Sequence, residues 1–198
     1  MFQIDFIRHT SLQVTPNLCY GQFDVPVSDS FTEEADAVYE ALHRHHYDAI
    51  FTSPLSRAEK LCIHCGYDEV AVRDARVMER NFGDWELKSW TEIDELIAGQ
   101  SNNSLYLDHL GQIIPPRGET VEDFFKRLKE FLQCVQLERY RRVAVFCHGG
   151  VINSMRYFQG FIEIGELFVS VPAYGSITSL KFPYIDEKHW RIENNNQR

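Results

Sequence analysis

Residues 120–147 set the clearest helical pattern of the chain directly before its strongest strand pattern, and that pairing points to a layered α/β fold. Val121, Phe124, Phe125, Leu128, Phe131, Leu132 and Val135 recur with a 3.6-residue period across 120–137, the spacing that gathers apolar side chains on one face of a helix. Thr120 with Asp123 supplies a start signal for it. The run RVAVFC (142–147) then reads as a strand and stops at His148-Gly149-Gly150, after which 151–160 looks helical again.

The same alternation extends upstream. In FQIDFI (2–7), Phe2, Ile4 and Phe6 share one face, as in a strand. A loop over 10–31, punctuated by Pro16, Gly21 and Pro26, leads to Ser30 and Glu33, a capping-box pair before the stripe Ala35, Val38, Leu42 and His46. AIFT (49–52) reads as a buried strand ending at Ser53-Pro54, residues 55–65 as a helix, VAV (70–72) as a third strand and 88–97 as a short helix. Residues 98–119 read as a loop. SITSLKF (176–182) and HWRI (189–192) are expected to form a terminal hairpin, with NNNQR frayed. Strands alternating with helices predict a three-layer α/β sandwich around a mostly parallel sheet. The length fits one domain over 1–198, with a lid-like segment at about 84–119.

In such sheets ligands bind beyond the carboxyl ends of the strands. Three strand exits then stand out: Arg8-His9-Thr10, Thr52-Ser53-Pro54 and His148-Gly149-Gly150. Each has a plain structural reading when taken alone. A single histidine at a strand end is more often packing than chemistry, Arg57 could be an exposed helix residue, and Glu79 is one of 29 acidic residues. Gly149-Gly150 could serve only a tight turn, although glycines there also let helix N–H groups face an anion.

Charge narrows the partners. The formal net charge is −9, which argues against nucleic acid, because a phosphate backbone demands a basic face. A small phosphorylated metabolite remains compatible, since a local arginine pocket can oppose the global field. No apolar run is long enough to span a bilayer. The start MFQIDFIRHT carries no basic leader, so a cytoplasmic protein is expected. The five scattered cysteines suggest no disulfide framework. Cys62-Ile-His-Cys65 lacks a second ligand pair and reads as helix packing. Cys147 reads as a buried strand thiol. His43, His45 and His46 suit a helix C-terminus, with a metal site the lesser alternative. No cofactor or metal is expected, and the sequence leaves the oligomeric state open, a homodimer included.

Taken together and in order, FIRHT, TSPLSRA, MERNFGDWE and VFCHGGVI resemble the histidine phosphatase superfamily, the phosphoglycerate mutase-like fold, from residue 4 to about 182. The resemblance implies that His9 attacks phosphorus and becomes a phosphohistidine. It implies that Arg8 and Arg57 grip the phosphate, that His148 donates to the phosphoryl oxygens, and that Glu79 protonates the leaving oxygen. Elementary chemistry suits those roles. Imidazole titrates at about 6.5, so it is both nucleophilic and a competent leaving group from phosphorus. Nearby guanidinium groups disfavour the imidazolium and offer forked donors to the equatorial oxygens. Glu79 must be neutral when substrate binds, which a neighbouring phosphate dianion promotes.

The loop RHTSL followed by NLCYGQFDVPVS resembles more narrowly the α-ribazole phosphatases of cobalamin biosynthesis, which implies that Tyr20, Gly21 and Gln22 border the substrate, with Gly149 close by. Three positions depart from the common family pattern. Thr15 stands where many members carry asparagine, and Asn17 is out of register. Leu87 and Arg117 stand where glycine is usual. Leucine at a φ > 0 position would cost strain or require a rebuilt loop. The stretch 89–116 has no Lys or Arg and includes Glu92, Asp94, Glu95 and Asp108. That composition disfavours a second anionic group on the substrate and so favours hydrolysis over mutase chemistry. Trp85, Trp90 and Tyr106 could stack on a base, although packing beneath a loop is the commoner fate of such residues. A relative that binds phosphorylated ligands without turnover is the alternative from another class.

Overall fold

The computed structural model describes residues 1–98, 107–108 and 110–184. Strand β1 (Phe2–Arg8) is followed by helix α1 (Phe31–Leu42), β2 (Ala49–Thr52), α2 (Ser56–His64) and β3 (Val72–Arg73). Helices α3 (Trp90–Ala98) and α4 (Val121–Leu137) lead to β4 (Arg142–Cys147), α5 (Gly149–Phe158) and β5 (Ile177–Phe182). The five strands run in the order β3-β2-β4-β1-β5. All are parallel except β5, which lies antiparallel against β1.

Each face of the sheet buries its own cluster. Phe2, Ile4 and Phe6 of β1, with Val143 and Val145 of β4, pack against α4 and α5 on one side. Ile7, Ile50, Ala144 and Phe146 pack against α1 and α2 on the other. The result is the expected three-layer α/β sandwich. Helix α4 is held by its stripe, for all seven apolar residues of the 3.6 pattern are buried. Each such side chain contributes about 1.5–3 kcal/mol of transfer free energy. Its start is fixed by Thr120, whose hydroxyl accepts from Asp123 N at 3.0 Å and donates to Asp123 Oδ2 at 2.7 Å.

Several expectations need correction. Ser30 forms no capping box with Glu33; its hydroxyl donates instead to Glu34 Oε1 at 2.6 Å, and Glu34 Oε2 accepts from Ser11 N. Helix α1 stops at Leu42, so His46 is exposed rather than part of the stripe. The third strand is Val72–Arg73 only, an exposed edge pairing with β2. Helix α5 begins at Gly149, not at 151, with His148 as its N-cap residue. Residues 177–182 pair with β1, while HWRI, NNNQR and Tyr106 lie outside the described residues.

Candidate active site

β1 and β4 are neighbours in the sheet, and each is followed at once by a histidine. The ladder runs past the strand ends, with His9 N donating to Cys147 O at 3.1 Å. The rings of His9 and His148 therefore lie 5.3 Å apart, centroid to centroid. Both are buried. His9 Nδ1 lies 2.8 Å from the Thr10 carbonyl, which can only accept, so the ring hydrogen sits on Nδ1 and Nε2 keeps its lone pair. His148 Nε2 lies 2.7 Å from Ser53 Oγ. That hydroxyl already accepts from Leu55 N, leaving its proton for Nε2 and favouring a hydrogen on His148 Nδ1.

Both imidazoles are held neutral. Burial is the larger cause at His9, with Arg57 and then Arg8 adding to it, and the ring is driven well below the usual value of 6.5. Burial, then Arg57 and His9, do the same at His148.

The arginines are fixed by carbonyls. Arg57, wholly buried at the start of α2, donates from Nη1 to Phe23 O at 2.9 Å and from Nη2 to Gly21 O at 2.6 Å. Burial opposes its charge and the Glu79 carboxylate supports it. Arg8 Nη1 donates to the Pro172 carbonyl. Arg8 Nε, Arg57 Nε and His148 Nδ1 are buried and have no partner among the described residues, and neither do the hydroxyls of Thr10 and Ser176. A buried donor left unpaired costs about 1–3 kcal/mol, and an anion among these groups would recover that cost.

Glu79 is tied to the same corner. Its Oε2 accepts from Gly150 N and its Oε1 from Arg80 N, each at 2.9 Å. Close approach, rather than backbone φ, explains the glycines here. A Cβ on Gly150 would lie 2.4 Å from Glu79 Oε1, and one on Gly149 2.8 Å from Val171 Cβ. Arg127 of α4 secures the segment before Glu79, donating to the carbonyls of Arg76, Met78 and Glu79 and pairing with Glu119.

All five charged or imidazole residues singled out in the sequence thus come together. The neighbouring residues brace the site. Gly21 and Gln22 serve the grip itself: Gly21 O receives Arg57, and Gln22 Nε2 donates to Glu79 O at 2.9 Å. Glu86 Oε1 latches this loop by accepting from Gln22 N and Phe82 N. Gly21 has φ +43°, and a Cβ there would strike that carboxylate at 2.3 Å. Trp85 is buried with Cys19, Phe82 and Ile93, and Trp90 meets Phe82 edge to face, so these rings pack under the loop. Leu87 and Arg117 both keep left-handed backbone, with φ 68° and 58°. The loops retain the glycine geometry without the glycine.

Sequence reasoning missed Ser53 and Tyr174. Ser53 lay inside a noted strand exit, but Tyr174 sits in an irregular stretch with no periodic signal. The declined candidates are packing groups. Cys62 and Cys65 are buried on α2, where burial pushes each thiol up to about 12. His43 caps α1 and stacks on Tyr39 at 3.9 Å. Cys147 is wholly buried.

A mostly parallel sheet with imidazoles and unpaired guanidinium edges crowded at its carboxyl end is suited to an anionic group. The chain belongs to the histidine phosphatase superfamily, branch 1, whose family model matches residues 4–197. It is 26% identical over 157 residues to the adenosylcobalamin/α-ribazole phosphatase of Escherichia coli strain K12, covering 75% of this chain and 74% of that one. It is 30% identical over 150 residues to a 2,3-bisphosphoglycerate-dependent phosphoglycerate mutase of Allorhizobium ampelinum, covering 70% of each. The solved α-ribazole phosphatase from Shigella flexneri shares the fold, with TM-score 0.75 at 20% identity over 94% of this chain and 92% of that one. Among the described residues no helix is long and apolar enough to cross a membrane.

Proposed function

We propose that the chain is a metal-independent phosphomonoesterase that carries the phosphoryl group on Nε2 of His9, and that its substrate is α-ribazole 5′-phosphate. One observation carries the reading: a neutral buried imidazole with its lone pair fixed on Nε2, set among Arg8 Nε, Arg57 Nε and His148 Nδ1, which are buried and have no partner among the described residues. In the first step the Nε2–P bond forms and the bond from phosphorus to the ester oxygen breaks, with Glu79 giving its proton to that oxygen. Water then attacks phosphorus, its proton passes to Glu79, and the P–N bond breaks to release inorganic phosphate. Arg8, Arg57 and His148 stabilise the equatorial charge in both steps, the electrostatic contribution on which phosphoryl transfer chiefly depends.

The substrate assignment is supported by the resemblance of the Tyr20-Gly21-Gln22 loop and by the name of the Escherichia coli relative. Absence of Lys and Arg from 89–116, a segment read here as flanking the mouth, favours a substrate with no second anionic group. It speaks against the mutase reading. Hydrolysis of p-nitrophenyl phosphate in EDTA tests the chemistry, with turnover expected in the native protein and lost in His9→Ala. Tight phosphate binding without turnover would instead indicate a non-catalytic relative. For the substrate, kcat/KM for α-ribazole 5′-phosphate is compared with sugar and nucleotide monophosphates. A preference below about tenfold, roughly 1.4 kcal/mol of transition-state discrimination, leaves a generalist phosphatase and overturns the assignment.

A further inference from the structure

We infer that Tyr174 is a positioning residue which, bridged to Tyr20, makes Arg8 and Arg57 close on a single phosphoryl group as one unit; the inference rests on the reading of His9 as the nucleophile. The turn 172–176 is laced to the first strand exit by the backbone. Arg8 N donates to Ser176 O at 3.0 Å and Gly175 N donates to His9 O at 3.1 Å. From its tip the Tyr174 ring covers the Arg8 guanidinium, 4.0 Å from Cζ to ring centroid, and lies 5.5 Å from the His9 ring. On the opposite wall the Tyr20 ring lies 5.2 Å from Arg57 Cζ. The two phenol oxygens meet at 3.2 Å, joining loops 154 residues apart.

This arrangement decides which guanidinium edge is offered. Carbonyls hold both Nη atoms of Arg57 and one of Arg8, and aromatic rings lie over the guanidinium groups, so the Nε–H groups are what remains buried without a partner among the described residues. A cation over a ring face is stabilised by the ring quadrupole and by being kept from water. Loss of the Tyr174 ring would free Arg8 to rotate and hydrate, weakening the grip without removing any group that contacts phosphate. The hydroxyl bridge adds a second effect: because each phenol is seated on a different arginine, displacing one disturbs the other.

The test measures binding of inorganic phosphate to the full chain by calorimetry, alongside KM and kcat for p-nitrophenyl phosphate. Tyr174→Leu is expected to weaken phosphate binding about tenfold, whereas Tyr174→Phe, which keeps the ring, stays within about threefold of the native value. Tyr20→Phe, Tyr174→Phe and the double Phe variant are each expected to lose about two- to threefold, the same loss in all three, since each breaks one shared bond, and affinity unchanged in all three overturns the bridge. Unchanged phosphate affinity in Tyr174→Leu at an unchanged thermal midpoint overturns the positioning role. Losses that multiply in the double variant overturn the bridge, and this cycle decides the matter even where the Leu variant unfolds. A native protein that binds no phosphate overturns the underlying site reading as well, and so is distinguishable from both.

Discussion

His9 and His148 enter the interior as neutral rings, so mild acid should destabilise the protein well before its carboxylates titrate. Both have folded-state values held well below 6.5, by burial first and by Arg57 among the neighbouring charges. In the unfolded chain each ring titrates at about 6.5, so below that pH the unfolded state binds protons that the folded state does not. Stability therefore falls as pH falls, and rises with pH through the window between the folded value and 6.5. Each such proton contributes a slope of at most about 1.4 kcal/mol per pH unit. Integrated from pH 6 to pH 5, while the folded rings stay neutral, the loss is about 1.2 kcal/mol per histidine and about 2.4 kcal/mol for the pair. Urea unfolding at pH 7, 6 and 5 in phosphate-free buffers measures it. Comparison with His9→Ala and His148→Ala isolates it, because the other titrating groups are common to all three proteins. Each variant should lose about half of the extra dependence. Parallel stability–pH curves for native and variant proteins would refute the reasoning.

Three further outcomes are expected. Glu79→Gln should lower kcat/KM for alkyl phosphates by about 100- to 10,000-fold but far less for p-nitrophenyl phosphate, whose leaving group needs no proton; equal losses on both would remove Glu79 as the acid. Leu87→Gly should raise stability by about 0.5–1 kcal/mol, and Tm by about 1–4 °C in a thermal melt, since relief of left-handed strain outweighs the added freedom of the unfolded chain. An unchanged or lower Tm would show that the leucine side chain, half-exposed beside the mouth, contributes more than its backbone costs. Arg127→Met removes the side-chain donor to the carbonyls of Arg76 and Met78 and one of two donors to Glu79 O, and it breaks the ion pair with Glu119. It should lower stability by about 3 kcal/mol in urea titrations and reduce kcat more than KM; a loss under about 1 kcal/mol would refute the clamp.

The layers of the fold and the convergence of the candidate site residues were legible in the sequence because they rest on periodicity and on strand exits. The α4 stripe and the β2 and β4 runs carry unambiguous apolar patterns, and an imidazole at the end of a buried strand can scarcely avoid the carboxyl face of the sheet. What was not legible depends on geometry that sequence spacing does not encode. Val70 and Val72 are exposed at the sheet edge, so their β-branched character overstates the third strand. Ser30 pairs with Glu34 rather than Glu33 because Glu34 also reaches across to Ser11 N. The glycines at 149 and 150 read either as a tight turn or as a helix start; they open α5, and the close approach of Glu79 and Val171 that they admit has no signal in sequence spacing. Tyr174 escaped notice because a residue whose importance lies in one ring face over a distant arginine leaves no local signature.

The spacing of the two histidines is inherited from the main chain. Adjacent strands of any sheet lie about 4.8 Å apart, and here that ladder, rather than the fit of particular side chains, separates the two imidazoles. Exposed turns such as those at Leu87 and Arg117 can therefore be rebuilt without moving the two imidazoles, whereas Thr10, Gly21 and Phe23 cannot, because their carbonyls hold His9 and Arg57. Even left-handed leucine and arginine are accommodated there, at Leu87 and Arg117. Changes at such turns leave the two rings where the strands put them, and an engineer can treat the floor of the site as a constant.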